Sequence, residues 1–468
     1  MRAIPILIFL FILIGCKNEK KKVTLNQLIT HYNKIEVPQS YSIDFTNTRF
    51  VPYQVYDYKN VDGLTANHII EIDGKRKQAY NKRLTNVAGG FEFESITAVK
   101  DTTAIDYSLN KIWDGNFITS LDAKEEYNYL QKTGQRKLSV FEAKKLLETP
   151  KDSLIYVFDS KTLDAIITKN GKKDTLVYTF STQPIQLKEI KNSAESRIFK
   201  NFKTYKGFSY ASEYSYVKNK DTTTTPLKVK INSFKEIDKI DANKFSTPKG
   251  YTFEKPIVNK DKLSKIGKNT YIIRDFKRGR NVLFVVKNNV ITVIGAPVSN
   301  TYSKEVIETI EKKFPKGKIK FVYVTHMHND HIAGLQEYAN KNATIIADAF
   351  TIEGIKDFDQ FKETSNQFKF KTIKDREIFN GIQFHYPKNR HCKMQGFAYI
   401  IKDQLVYQGD FMQVSSNLTV PSILPEATKH FIERIYEDKL AVKTVIGQHQ
   451  AGNEIPMTFL NKYYKKHQ

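Results

Sequence analysis

From Val23 to about Lys255, apolar and polar residues alternate in short runs broken by turn dipeptides. A period of two with one apolar face is what antiparallel strands need when one side of the sheet is buried, so this half predicts an antiparallel β domain. Phe208, Tyr210, Tyr214 and Tyr216 share one face of such a run, and Leu227, Val229 and Ile231 share one face of the next, across the polar loop at 218–225. Asp73-Gly74 and Asn170-Gly171 sit between alternating flanks and predict tight hairpin turns. Helical periodicity is confined to residues 139–147, where Ser139 and Glu142 form a capping-box signal.

The rhythm changes after the polar stretch at 256–262. Strands are predicted at 263–273, 282–286 and 290–294, the last two joined by a turn at Asn288-Asn289. A helix with Ser303 as N-cap and Val306, Ile307 and Ile310 on one face ends at Pro315. The apolar run Phe321-Val322-Tyr323-Val324 follows as a buried strand. Beyond it, strand patterns at 343–347, 381–386, 396–408 (with a turn near Asp403) and 443–446 alternate with helices at 425–440 and 457–464. Strands alternating with helices imply a layered architecture, so the whole chain reads as α+β with domains at 23–255 and 256–468.

A length of 468 residues exceeds one ordinary core and agrees with two domains. The formal net charge of +24 is compatible with anionic partners. The lysines are scattered among 50 acidic residues, with no compact arginine-rich patch and no nucleic-acid module, so nucleic acid is not an expected partner. Two cysteines, Cys16 and Cys392, exclude an internal disulfide framework. Residues 1–16, MRAIPILIFLFILIGC, combine a basic start with an apolar run too short to span a bilayer, which is a secretory signal. Its end, Leu13-Ile14-Gly15-Cys16, resembles the bacterial lipoprotein signal box. That resemblance implies cleavage before Cys16, acylation of Cys16, and anchoring to a membrane of the bacterial envelope, with KNEKKK at 17–22 as the tether. A plain secretory signal or an uncleaved anchor is the alternative.

Chemistry concentrates in one stretch, Thr325-His326-Met327-His328-Asn329-Asp330-His331, directly after the strand at 321–324. Imidazole nitrogens and a carboxylate at this spacing suit a borderline-soft divalent ion such as zinc, and on a strand-to-helix turn they can face two neighbouring ions. Only His31 and His68 of the ten histidines precede residue 255. Further ligand types occur at downstream strand ends: His391 after 381–386, Asp410 after 404–408 and His449 after 443–446.

With these residues in order, residues 257–468 resemble the metallo-β-lactamase superfamily, which implies an αββα sandwich with metals at one edge. The resemblance assigns His326, His328 and His391 to a first zinc site and Asp330, His331 and His449 to a second, with Asp410 bridging both. Two zinc ions are implied, with manganese, iron or a mixed site still open. The two ions would lower the pKa of a water between them to give a hydroxide, with Asp330 orienting it and carrying a proton. Two departures stand out. Gly295 occupies the neighbourhood of an aspartate that usually supports the metal loop, and Asp410 stands where some antibiotic-hydrolysing members have cysteine or serine. Cys392 reads as a packed thiol and His385 as a core histidine, whereas Arg390 and Lys393 beside His391 are candidate electrostatic helpers or solvated charges.

Residues 140–255 resemble, in rhythm and turn position, the half-barrel carriers of lipoprotein-sorting type, which implies a face able to accept an acyl chain. The expectation is therefore an envelope-anchored di-zinc hydrolase acting on an ester, thioester, lactone or phosphoester in a small-molecule or lipid-like substrate. The alternative is a lipid or lipoprotein handling protein whose metal domain is accessory.

Overall fold

A computed structural model describes residues 22–170, 174–218, 227–253, 260–296 and 298–468. The signal-like start with Cys16, nearly all of the tether, Gly171, residues 219–226 and residues 254–259, which include part of the expected boundary stretch at 256–262, lie outside the described residues.

Among those residues the N-terminal half forms one sheet of thirteen strands. Tyr41–Arg49 pairs antiparallel with Leu64–Asp73 on one side and Leu227–Glu236 on the other. From this central pair the strands step away in two meanders, one ending at the edge strand Ile118–Leu121 and the other at Leu154–Asp159. The chain passes from one edge to the other through the helices Ala123–Gln135 and Ser139–Leu147. These helices and Leu25–Asn33 bury Leu28, Tyr32, Leu130, Val140 and Leu146 against Ile43, Phe45, Ile70, Phe180 and Val229 of the sheet. One sheet face is thus covered by the chain's own helices.

Two of those helices differ from the sequence expectation of a single helix at 139–147. Leu25–Asn33 is started by a reciprocal cap between Thr24 and Gln27, and Ala123–Gln135 by Asp122 accepting from the Glu125 amide. Leu25–Asn33 carries a sequence signal, with Leu25, Leu28, Ile29 and Tyr32 at helical spacing behind the Thr24 cap, whereas Ala123–Gln135 has few apolar positions and takes its stability from docking on the sheet. The capping signal at Ser139 and Glu142 is used otherwise. Leu138 is the N-cap, Ser139 Oγ accepts from the Ala211 amide at 3.0 Å, and Glu142 pairs with Arg197 at 3.1 Å.

The C-terminal half has four layers. A seven-stranded sheet runs in sequence order from Leu263–Lys265 to Lys369–Thr372, and a six-stranded sheet from Ile378–Phe379 to Glu454–Pro456. The predicted strand at 263–273 is two strands, Leu263–Lys265 and Thr270–Asp275, and the helix predicted from Ser303 begins one turn earlier, at Asn300 with Ser299 as its cap. Ser303 is buried inside that helix. Between the sheets, Ile272, Leu283, Ile294 and Tyr323 meet Phe384, Ala398, Ile400 and Tyr407. The helix Asn300–Lys313 packs Val306 and Ile310 on the outer face of the first sheet, and Glu426–Glu437 packs Phe431 and Ile435 on the outer face of the second. His385 is buried in this core, stacked on Phe397 at 4.8 Å with Nδ1 2.9 Å from Asp438.

Candidate metal centre

Three strand ends deliver the site. Lys318–Tyr323 leads into Thr325 to His331, Leu405–Gln408 into Asp410, and Thr444–Gly447 into His449, while His391 lies on the loop after Ile382–His385. The last two strands are parallel neighbours, so their carboxyl ends open on one edge. Gly409 permits the approach: a Cβ there would stand 2.6 Å from Thr325 Oγ1 and 3.2 Å from His326 Nδ1.

The seven predicted ligands form two groups, His326, His328, His391 and Asp410 in one, Asp330, His331 and His449 in the other. Asp410 faces both. Its Oδ2 lies 3.1 Å from His391 Nε2 and 4.0 Å from His326 Nε2, and its Oδ1 lies 2.8 Å from His449 Nε2 and 3.3 Å from His331 Nε2. Asp330 Oδ2 closes the second group, 3.4 Å from His449 Nε2.

Four of the five imidazoles are held from behind by an oxygen that can accept, whereas His449 Nδ1 faces a donor. Thr325 Oγ1 sits 3.1 Å from His326 Nδ1 and 3.3 Å from His331 Nδ1. His391 Nδ1 donates to the Ala88 carbonyl at 2.9 Å and His328 Nε2 to the Val55 carbonyl at 3.0 Å. Arg280 Nη1 lies 2.5 Å from His449 Nδ1. The inward nitrogens of His326, His331, His391 and His449, together with Asp410 Oδ1, are buried and make no well-aligned hydrogen bond, their only close polar neighbours being one another and the carboxylates of the site. Four such nitrogens and a carboxylate oxygen converging in one interior space are costly unless a cation satisfies them, so the donor set fits divalent metal.

Charge states agree with that fit. Burial, with His331 and His328 alongside, holds His326 well below the usual imidazole range, and burial next to His391 takes His328 to about 3, so both rings are neutral. Burial alone would raise the two carboxyls, but His331 and His449 bring Asp330 down to about 2 and hold Asp410 well below the usual range. His331 departs from its neighbours: burial works against its proton, yet Asp410 and Asp330 raise its pKa. The excess negative charge of two facing carboxylates is the cause.

The N-terminal half reaches this centre through residues that the sequence pattern did not mark. Gln54 Nε2 donates to Asp330 Oδ1 at 2.9 Å, Lys393 N donates to the Tyr56 carbonyl at 2.7 Å, and Tyr53 Oη donates to the Gly354 carbonyl at 3.1 Å. Trp113, 42% exposed, has its ring 6.1 Å from that of His449, and Phe91 stands 6.2 Å from His391. Carbonyl contacts between distant segments leave no trace in sequence; only the rarity of the single tryptophan could have singled out Trp113. A groove of about 610 Å³ beside the His391 loop is lined by Val55, Leu64, Val87, Ala88, Gly89 and Arg390, among others.

Of the other candidates, Cys392 is buried against Tyr58 and Met327, and burial pushes its thiol up to about 12, which leaves it unreactive. Lys393 pairs with Asp57 at 3.2 Å and Arg390 with Glu426 at 3.2 Å, so neither is a free cation. Around Gly295, Gln448 Nε2 and the Val298 amide each donate to the Asp330 carbonyl at 3.0 Å, which supports the metal loop without an aspartate there.

No family model matches the sequence, and no curated protein does. Solved structures that match include the metallo-β-lactamase DIM-1, at 17% identity and TM-score 0.34, covering 43% of this chain and 94% of that one. FIM-1 from Pseudomonas aeruginosa, in its mono-zinc form, matches at 15% identity and TM-score 0.35, covering 43% of this chain and 92% of that one. A metallo-β-lactamase from Hirschia baltica matches at 13% identity and TM-score 0.35, with coverages of 43% and 95%.

Proposed function

We propose that this chain is a metal-dependent hydrolase of the metallo-β-lactamase superfamily, holding two divalent ions, with zinc favoured by the donor set. The observation that carries the reading is Asp410, whose two oxygens each face a different group of buried nitrogens that make no well-aligned hydrogen bond. His326, His328 and His391 would hold one ion, Asp330, His331 and His449 the other, with Asp410 shared between them. When bound, such ions lower the pKa of a water toward neutrality and polarise an oxygen of the substrate.

The chain's own residues supply the rest. Asp330, ionised and 22% exposed in its side chain, lies in the second group with Oδ2 toward His449, where its carboxylate can orient an attacking water and pass a proton to a leaving group. The groove sets the apolar Val55, Leu64, Val87 and Ala88 beside the charged Asp62, Lys388, Arg390 and Glu426, a lining compatible with a small-molecule or lipid-like ester, thioester, lactone or phosphoester. The envelope location, with Cys16 lipidated, is part of the same proposal and rests on residues 1–16 alone.

The test is metal analysis of purified protein, followed by assay of the zinc-loaded form on a panel of esters, thioesters, lactones and phosphodiesters. Two ions per chain and hydrolysis lost in Asp330→Ala support the proposal. Fewer than one tightly bound ion, with no hydrolysis after loading, refutes it.

A further inference from the structure

The N-terminal half touches the C-terminal half at four consecutive residues, 53–56, the last three of them on the metal-ligand loops. Tyr53 binds the Gly354 carbonyl, Gln54 binds Asp330 and Asn329, the Val55 carbonyl takes the His328 Nε2 proton, and the Tyr56 carbonyl takes the Lys393 amide. A second contact comes from the turn after Gln78–Val87, where the Ala88 carbonyl accepts from His391 Nδ1. The two halves also meet away from the ligands, where Tyr58 binds Asp357, Asn417 binds Asn116 and the Ser422 amide binds the Asn110 carbonyl. Of the contacts at 53–56 and Ala88, three end on ligands.

We propose that the strap at 53–56 and the turn at Ala88 are a working part of the metal centre, and that Gln54 is a positioning residue for the second ion. This rests on the proposed two-ion reading of the site. The physical reason lies in which atoms are occupied. Gln54 holds Asp330 by Oδ1 at 2.9 Å, which leaves Oδ2 as the oxygen facing His331 and His449. Released from that bond, the carboxylate would keep only Arg280 Nη2, 3.2 Å from Oδ2, as a side-chain hydrogen-bond donor outside the imidazoles, and its turn toward Arg280 would draw Oδ2 away from the second group. The Val55 and Ala88 carbonyls act likewise on the first group, fixing His328 with Nδ1 inward and His391 with Nε2 inward. Partners behind a ligand typically change metal affinity by about 10–100-fold when removed. The N-terminal domain would then set how tightly the C-terminal domain holds metal.

The experiment uses the full chain, stripped of metal and titrated with zinc against a chromophoric chelator to read both dissociation constants. Gln54→Met and Gln54→Leu keep the volume and remove the donor. Tyr53→Phe cuts a strap contact that touches no ligand. We expect both Gln54 variants to weaken one of the two ions by about tenfold and leave the other unchanged. Tyr53→Phe should leave both constants unchanged while lowering the thermal midpoint. Cobalt loading should show the same site selectivity in its visible absorption. Gln54 variants with wild-type constants and only a lowered thermal midpoint would overturn the inference and leave the two-ion reading standing. A wild-type chain that binds no zinc tightly overturns both.

Discussion

Asp410 meets His391 through Oδ2 at 3.1 Å and His449 through Oδ1 at 2.8 Å, so one carboxylate serves two groups of imidazoles. Replacing it should therefore disturb both groups at once. Asp410→Ala is expected to weaken binding of both ions, by more than the about 100-fold that loss of an outer partner can cause. Isothermal titration with zinc measures this, and a variant that loses only one ion would show that Asp410 does not bridge.

Arg280 makes the opposite kind of contact with the second group. Its Nη2 is 3.2 Å from Asp330 Oδ2, and its Nη1 is 2.5 Å from His449 Nδ1. Two unit charges about 4 Å apart at an effective dielectric of about 20 interact by about 4 kcal/mol, whereas a charge-assisted hydrogen bond such as that to Asp330 contributes about 1.5–3 kcal/mol. Repulsion of an incoming cation should outweigh the lost bonds. Arg280→Met is expected to tighten the second ion by at least about tenfold, less so at high salt. Weaker binding in the same zinc titration would make Arg280 a support for His449 instead.

The contrast between these two residues explains what sequence could reveal. The motif from His326 to His331 is local, and His391, Asp410 and His449 were legible because each follows a strand that brings it to the same edge. Gln54, Val55, Ala88 and Arg280 act through backbone carbonyls or across segments far apart in the chain, with residue types that carry no ligand signal. In the N-terminal half the alternation announced the sheet but not the helix Ala123–Gln135, whose folding depends on the sheet it covers, whereas Leu25–Asn33 carries helical spacing of its own.

Trp113 offers a direct optical check, because it is the chain's only tryptophan and its ring lies 6.1 Å from that of His449. Cobalt absorbs in the visible and near ultraviolet, whereas zinc, with a filled d shell, does not. Cobalt loading should quench most of the tryptophan emission and zinc should leave it nearly unchanged. Unquenched emission from fully cobalt-loaded protein would place the metal elsewhere.

His68 predicts an acid-side loss of stability in the N-terminal domain. Its ring stacks on Phe45 at 4.8 Å, and burial, with Arg83 and Lys137 nearby, lowers its pKa from 6.5 to about 4, against a raising contact from Asn81. Between those values the unfolded chain binds the proton and the folded chain does not. Stability from this group is thus complete above pH 6.5 and falls as pH drops toward 4, by at most about 3 kcal/mol before solvent screening. The thermal midpoint of His68→Phe should fall less than that of the wild type over this range. Parallel pH profiles would rule the assignment out.

Gly295 allows the sharpest test of how the metal loop is supported. Its φ is +103°, and a Cβ there would run into the hydroxyl of Tyr407, which itself donates to the Asn281 carbonyl at 3.0 Å and lies 3.2 Å from Gln448 Oε1. Gln448 in turn holds the Asp330 carbonyl. An aspartate at 295 would meet both a backbone conformation that L residues rarely adopt and a hydroxyl that orders the loop's support. Gly295→Asp should therefore cost about 2 kcal/mol or more, measured by chemical unfolding, and weaken metal binding instead of improving it. Gly295→Ala separates the two causes. If the hydroxyl dominates, Tyr407→Phe should recover part of the Gly295→Ala loss in the double variant, through a coupling of more than about 0.5 kcal/mol. If backbone strain dominates, the two losses should simply add. Tighter metal binding in Gly295→Asp would mean that the loop lacks a support that Gln448 does not replace.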